Sequence, residues 1–408
     1  MQINYLSLIS NIFDQKFERF YLPLIGLFLG LLLINCIYYI HVFVYSYNEW
    51  LVADWLINYS GGIVRRGLSG ELIFFITNLF DWNILHFLFY FLSFLQFLLF
   101  LGLFILICNK KITFWFFLIF ATPTFLSFYL FDPAIIARKE ILIYLSYFAW
   151  MITLLKKRQI SFRTSLFFSI LGVFITLLHE IFVFYSIAFY LFSIIYFDQK
   201  LFTFNFSIFI PLSSVVTLIF LMLAPTAFNA VEICQRIAEM GIDPKVCLGG
   251  VLSWPANGVI EGFILNLSIY NIWTPFGLIL ILMLPLSSIS LFCASNKLLN
   301  RSAKKLFFCL ILQLIFMSPL FLVATDWGRW VNIQSILLGL TMVFFLESNK
   351  SFEIKDLKYS TTEKLWGYGV PIILLIFMSS WNLKHCCRDG NFLFEFNGLV
   401  GSFYSIML

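Results

Sequence analysis

From Phe20 to Ser46 the chain runs for about 27 residues without one Asp, Glu, Lys or Arg, and roughly 20 apolar residues in a helix are enough to cross the hydrocarbon of a bilayer. Comparable runs recur along most of the sequence. Only helices and closed barrels satisfy their backbone polar groups inside lipid, and runs of this length are helical spans. Composition agrees: 61% of residues are hydrophobic and 12% charged, against about 25% charged in a soluble domain. The 408 residues therefore read as an all-α, polytopic membrane protein, one transmembrane domain over 1–408. Its net charge of +5 is scattered through loops and forms no basic stripe, which excludes nucleic acid as a partner.

Polar breaks divide the hydrophobic runs into about eleven spans, near 20–46, 83–108, 112–131, 141–155, 164–179, 181–197, 201–224, 272–295, 306–325, 331–347 and 365–382. The first is too long for a signal-peptide core and lacks a small-x-small cleavage site, so it is expected to be retained. Placing the N-terminus inside puts 17 of the 26 Lys and Arg residues on the inner face, as the positive-inside rule asks. The expected address is a bacterial inner membrane. A first outer loop then covers 47–82, with a short interfacial helix from Glu71 to Phe80, and a longer outer loop covers 225–271. Cys234 and Cys247 lie 13 positions apart in that longer loop, where an oxidising periplasm would join them as a disulfide.

The same topology leaves nine cations on the disfavoured outer face, and five of them call for a reason: Arg65, Arg66, Arg138, Lys139 and Arg329. The first outer loop sets Asp54, the pair Gly61–Gly62, Arg65–Arg66, Gly67 and Gly70 close together. Glycines let a backbone approach a ligand, and guanidiniums grip phosphate oxygens in pairs; contact with lipid head groups is the plainer alternative. In FDPAIIARKE, Asp132–Pro133 has the form of a helix start. Arg138, Lys139 and Glu140 follow at the outer interface, either as a ligand site or as an ion pair locking helices. His179 and Glu180 interrupt apolar sequence. Sixteen residues from Arg163 at about 1.5 Å each put His179 roughly 24 Å across the membrane. Asp326 and Arg329, three apart, share a helix face with Trp327 and Trp330 alongside. The outer acids sit in separate loops without ligand spacing, so no metal is expected. No phosphate-cradling GxxxxGK[ST] stretch occurs, and no cofactor is called for.

An acid and arginines in the first outer loop, with further outer-face arginines at Arg138 and Arg329, make the chain resemble bacterial polytopic glycosyltransferases that use polyprenyl-linked sugars. These are the O-antigen and capsular-polysaccharide polymerases and the GT-C glycosyltransferases. In the polymerases a large outer loop often comes late in the chain, whereas here the 225–271 loop follows the seventh span. The resemblance implies a polyprenyl-linked saccharide donor, a glycan acceptor and polysaccharide-assembly partners. Asp54, His179 and Glu180 are the candidate bases: Asp54 for a donor with one phosphate, the His179–Glu180 pair for a donor with two. Arg65, Arg66, Arg138, Lys139 and Arg329, with Asp326, are the candidate phosphate-binding group. The rival class is a transporter or flippase for a lipid-linked or anionic substrate.

Overall fold

The computed structural model describes residues 5–108, 122, 124–155, 159–197, 205–223, 229–247, 250–253, 264, 300–323 and 326–348. Twelve α-helices are present among the described residues: α1 (Tyr5–Tyr45), α2 (Val52–Leu56), α3 (Gly67–Phe80), α4 (Ile84–Cys108), α5 (Phe128–Phe131), α6 (Glu140–Leu155), α7 (Phe162–Leu178), α8 (Phe182–Tyr196), α9 (Phe209–Leu223), α10 (Ala230–Glu239), α11 (Asn300–Val323) and α12 (Trp327–Ser348). No strand occurs among the described residues. Among the described residues, three stretches are long and apolar enough to cross a membrane: Pro23–Tyr45, Ile84–Leu106 and Phe206–Leu223. Shorter apolar helices accompany them, among them Glu140–Leu155, Phe162–Leu178, Phe182–Tyr196 and Phe308–Leu322. The chain is a helical membrane protein. The expected spans 272–295 and 365–382, and most of 112–131, lie outside the described residues.

Along these helices the usual arrangement of a soluble protein is reversed. Leu27, Ile34, Tyr90, Ile170 and Leu223 are all exposed, an apolar outer surface suited to lipid. Inside, large side chains carry polar tips that find partners across helices. Trp150 Nε1 donates to the Phe189 carbonyl at 2.9 Å, and the Tyr147 and Thr341 hydroxyls meet at 2.7 Å. Tyr185 donates to the Trp330 carbonyl at 3.0 Å. Asn332 Nδ2 donates to the Thr124 and Phe125 carbonyls at 3.0 and 2.9 Å, and its Oδ1 accepts from Tyr144 at 3.2 Å. Lipid supplies no hydrophobic drive for helices to associate, so such interhelical hydrogen bonds and close packing hold the bundle. They tie α12 to α6 and α8, and most of the ionisable groups described below lie at the first turns of these three helices or just before them.

Several local expectations are corrected. The first helix extends beyond the apolar run to Tyr5. The interfacial helix starts at Gly67 rather than Glu71. Asp132–Pro133 opens only a 3-10 turn, Pro133–Ile135, with Asp132 accepting from Ala134 N at 3.2 Å; the α-helix begins later, at Glu140. The loop glycines serve chain packing. A Cβ on Gly61 would strike the Asn229 carbonyl, and one on Gly70 would strike the Ile57 and Leu56 carbonyls. Both positions let one backbone lie against another, and Gly70 N donates to the Ile57 carbonyl at 2.9 Å.

In the longer loop, α10 presents Ile233 and Ile237 inward, and Asn58 Nδ2 reaches the Ile233 carbonyl at 3.4 Å. Cys234 and Cys247 are bonded, with Cα atoms 5.9 Å apart. The bridge clips α10 to the turn Pro244–Cys247 over the first loop. Trypsin cuts after Arg236 and Lys245 inside the bridged segment. Without reductant, the peptides holding Cys234 and Cys247 are expected to migrate as one linked species and to separate after reduction. Alkylation of both thiols before reduction would contradict the bridge.

Candidate functional site

The first loop turns back into the protein. Asn48 Oδ1 accepts from the Trp50 and Leu51 amides at 3.0 and 2.9 Å, starting α2, all five residues of which are buried. Asp54 is thereby carried inside, fully buried. Trp55 Nε1 donates to the Ala137 carbonyl at 2.9 Å, which docks α2 on the segment before α6. Arg66, at the start of α3, and Ala137 both have left-handed backbones, with φ of 69° and 59°. Side chains other than glycine are uncommon there, and such strain tends to gather at functional sites. Here it aims Arg66, Arg138 and Lys139 at a common centre.

At that centre Arg66 is shared by two carboxylates. Its Nη1 lies 3.1 Å from Asp54 Oδ1, while Nε and Nη2 grip Glu180 at 2.9 and 3.0 Å. Lys139 Nζ sits 3.7 Å from Asp54 Oδ1, 3.5 Å from the Arg66 carbonyl and 5.8 Å from the Trp55 ring centroid. A second group joins Arg329 to Glu140 and to Asp326. His179 stands between the groups: Nε2 is 3.4 Å from Glu140 Oε1, and Nδ1 is 3.8 Å from Glu180 Oε2. The break between α7 and α8 puts it there, since α7 ends at Leu178 with His179 extended, φ −158°.

The four charged segments, remote in sequence, thus meet in one cluster. It brings together Asp54, Arg66, Arg138, Lys139, His179, Glu180, Asp326 and Arg329. Arg138 is buried, donates from Nε to the Ala134 carbonyl at 3.0 Å and stacks 5.9 Å from the Trp50 ring centroid. Arg65 stands apart. It is half-buried and makes no ion pair or hydrogen bond among the described residues. Glu140, which the sequence reading left outside its site residues, is the junction of the second group. Its signal was present in retrospect: a carboxylate beside Arg138 and Lys139 at the mouth of an apolar helix needs a cation of its own.

Formally, Arg66, Arg138, Lys139 and Arg329 balance Asp54, Glu140, Glu180 and Asp326. Burial alone would raise the Asp54 carboxyl, but Lys139, Arg66, His179 and Arg138 hold it below the usual carboxylate range. Burial acts in the same way on Glu180, and Arg66 with His179 keeps it well below its ordinary value. Both carboxylates are charged at neutral pH. Burial drives the Lys139 ammonium down to about 8, with Asp54 opposing the shift. Among the described residues, no three His, Cys, Asp or Glu side chains are placed to share a metal ion. Comparison with known proteins found no matching family model, curated sequence or solved structure.

Lys139 gives this cluster a pH signature. Between pH 8 and its unfolded value of 10.5, the unfolded chain holds the Lys139 proton while the folded chain releases it. Stability from this residue therefore rises with pH through that window. The melting temperature of wild type relative to Lys139→Met is expected to climb from pH 8 to pH 10. A difference that stays flat or falls would show that Lys139 is not titrating in the cluster.

Proposed function

We propose that this protein is a membrane glycosyltransferase. It moves saccharide from a polyprenyl-linked donor to a glycan acceptor on the outer, periplasmic face of a bacterial inner membrane, in surface-polysaccharide assembly. The observation that carries this reading is the meeting of four charged segments, three of them bearing cations, in one buried cluster whose Arg66 and Glu180 are partly exposed. The topology inferred with it has eleven spans and a cytoplasmic N-terminus, which sets the cluster, the 47–82 loop and the 225–271 loop outside. An impermeant maleimide added to intact cells after mild reduction is expected to label Cys234 and Cys247. Protection of both would contradict that orientation.

Transfer of a sugar needs a base for the acceptor hydroxyl and positive charge for the leaving phosphate. The hydroxyl oxygen attacks the anomeric carbon, and the bond from that carbon to the phosphate oxygen breaks. The electron pair leaves with the phosphate while the hydroxyl proton passes to the base. Asp54 and His179 side chains are 0% exposed, whereas Glu180 is 13% exposed and Arg66 19%. Access favours Glu180 as the base, and with it the pyrophosphate-linked donor. Asp54 then positions Arg66, and His179 with Glu140 backs Glu180. Arg65 is the cation free to meet the donor phosphate. Arg138 and Lys139 add positive field, while Arg329 and Asp326 hold Glu140. The carboxylates are all engaged by Arg or Lys, so the step we infer needs no obligatory metal.

A transport function is favoured by one specific feature. The chain Glu180–His179–Glu140 joins the two ion-pair groups, and intramembrane chains of this kind carry protons in pumps and transporters. An in vitro transfer assay with a lipid-linked donor separates the two. Glu180→Gln is expected to lower kcat by about 10²–10⁴-fold, the range a positioned base supplies. Asp54→Asn and His179→Ala should lose less, and a chelator should change nothing. Full activity in all three variants would remove the base assignment, and loss on chelation would remove the metal-free step.

A further inference from the structure

Gln96 is an unexpected residue. It lies near the middle of α4, a helix otherwise almost wholly apolar, and it is 1% exposed. Its amide nitrogen donates to Cys36 Sγ at 3.6 Å, but Oε1 is buried and accepts no hydrogen bond. An unsatisfied buried acceptor costs about 1–3 kcal/mol.

Gln96 also walls a cavity of about 10 Å³ together with Tyr129, Glu140, Tyr144, Arg329 and Asn332, close to the smallest space that holds one water molecule. Two more of these walls carry unsatisfied atoms. Glu140 Oε2 is buried and accepts no hydrogen bond, and Arg329 Nε is buried and donates none. Three residues of one small cavity wall thus each carry an orphan atom, two acceptors and one donor, and together they specify what fits. The occupant must donate twice and accept at least once. A metal cation is opposed by Arg138 and Arg329 in the wall, and an anion by Glu140. An apolar group would leave all three orphans unpaired.

We propose that this cavity is a binding site for a single ordered water. Its hydrogens go to Glu140 Oε2 and Gln96 Oε1, and its oxygen accepts from Arg329 Nε. Three hydrogen bonds is the usual complement of a buried water. The water ties the spanning helix α4 to the charged cluster. It completes both oxygens of Glu140, the carboxylate that faces both Arg329 and His179. Gln96 is on this account a positioning residue, acting on the cluster through the water from the interior of a span. The site is independent of which reaction the cluster performs.

A density map of the full chain in lipid nanodiscs, at a resolution that shows ordered water, tests the site. The expected result is one peak within about 3.2 Å of Glu140 Oε2, Gln96 Oε1 and Arg329 Nε, absent from the map of Gln96→Leu. No peak in wild type, in a map where other buried waters are visible, would overturn the site. So would a peak that persists unchanged in Gln96→Leu, or one with several oxygens at about 2.3–2.6 Å, which marks a cation. Should Gln96→Leu fail to fold, the wild-type map alone decides.

Discussion

The guanidinium of Arg66 is the interaction on which the rest of the site depends. It pairs with Asp54, 12 positions away, and with Glu180, 114 positions away, and so fixes the first loop against the break between α7 and α8. Charges withdrawn from water are tolerated only when paired and hydrogen-bonded. Removing one partner of a buried pair costs about 3–5 kcal/mol, because the other is left uncompensated. Arg66 also holds a left-handed backbone at the head of α3, with its carbonyl accepting from Ser69 Oγ at 2.9 Å. Local strain, loop path and ion pairing all meet at this residue.

Neutrality shapes what the cluster can do. Four cations face four carboxylates, so Arg66 and Arg329 are not free to bind a ligand phosphate as bare cations. They fix oriented charge in a water-poor setting, where preorganised dipoles and ions act most strongly on developing charge. The accessible side chains of the cluster are few: Asp326, the edge of Arg66, and Glu180. In the proposed transfer, Arg65, next to Arg66 in the chain, would meet the incoming anion, and Glu180 the hydroxyl. Phe75 and Leu79 on α3 are exposed apolar side chains of the same loop, which on the proposed function would let one segment handle both a lipid tail and its head group.

Much of this was legible in the sequence because lipid simplifies the rules. Apolar runs announce helices, and a cation on the wrong face announces a partner. That logic singled out Asp54, Arg66, Arg138, Lys139, His179, Glu180, Asp326 and Arg329, and the structure brings them together. Pairing was not legible. Which carboxylate Arg329 takes depends on how α6 and α12 pack, and Glu140, 189 positions away, carries no local mark of it. In sequence the glycines of the first loop suit either a ligand's approach or a turn, whereas Gly61 and Gly70 are set by backbones that approach from the start of α10 and the end of α2. Asp132–Pro133 has the grammar of a helix start, yet Trp55 holds the Ala137 carbonyl and the chain must turn before Glu140. Gln96 stands out as polar in an apolar run, but nothing local marks that it shares a cavity wall with Glu140 and Arg329 on two other helices.

The account centres on sugar transfer from a lipid-linked donor at the Arg66–Glu180 edge, and the lipids of cells lacking the gene test it most directly. Extracted polyprenyl lipids would be compared with those of the parent by mass spectrometry, beside the length distribution of the surface glycan. The account predicts that a polyprenyl-linked saccharide accumulates while the glycan is lost or truncated, and that the intact gene reverses both. Unchanged glycan with no accumulated lipid-linked saccharide would contradict it.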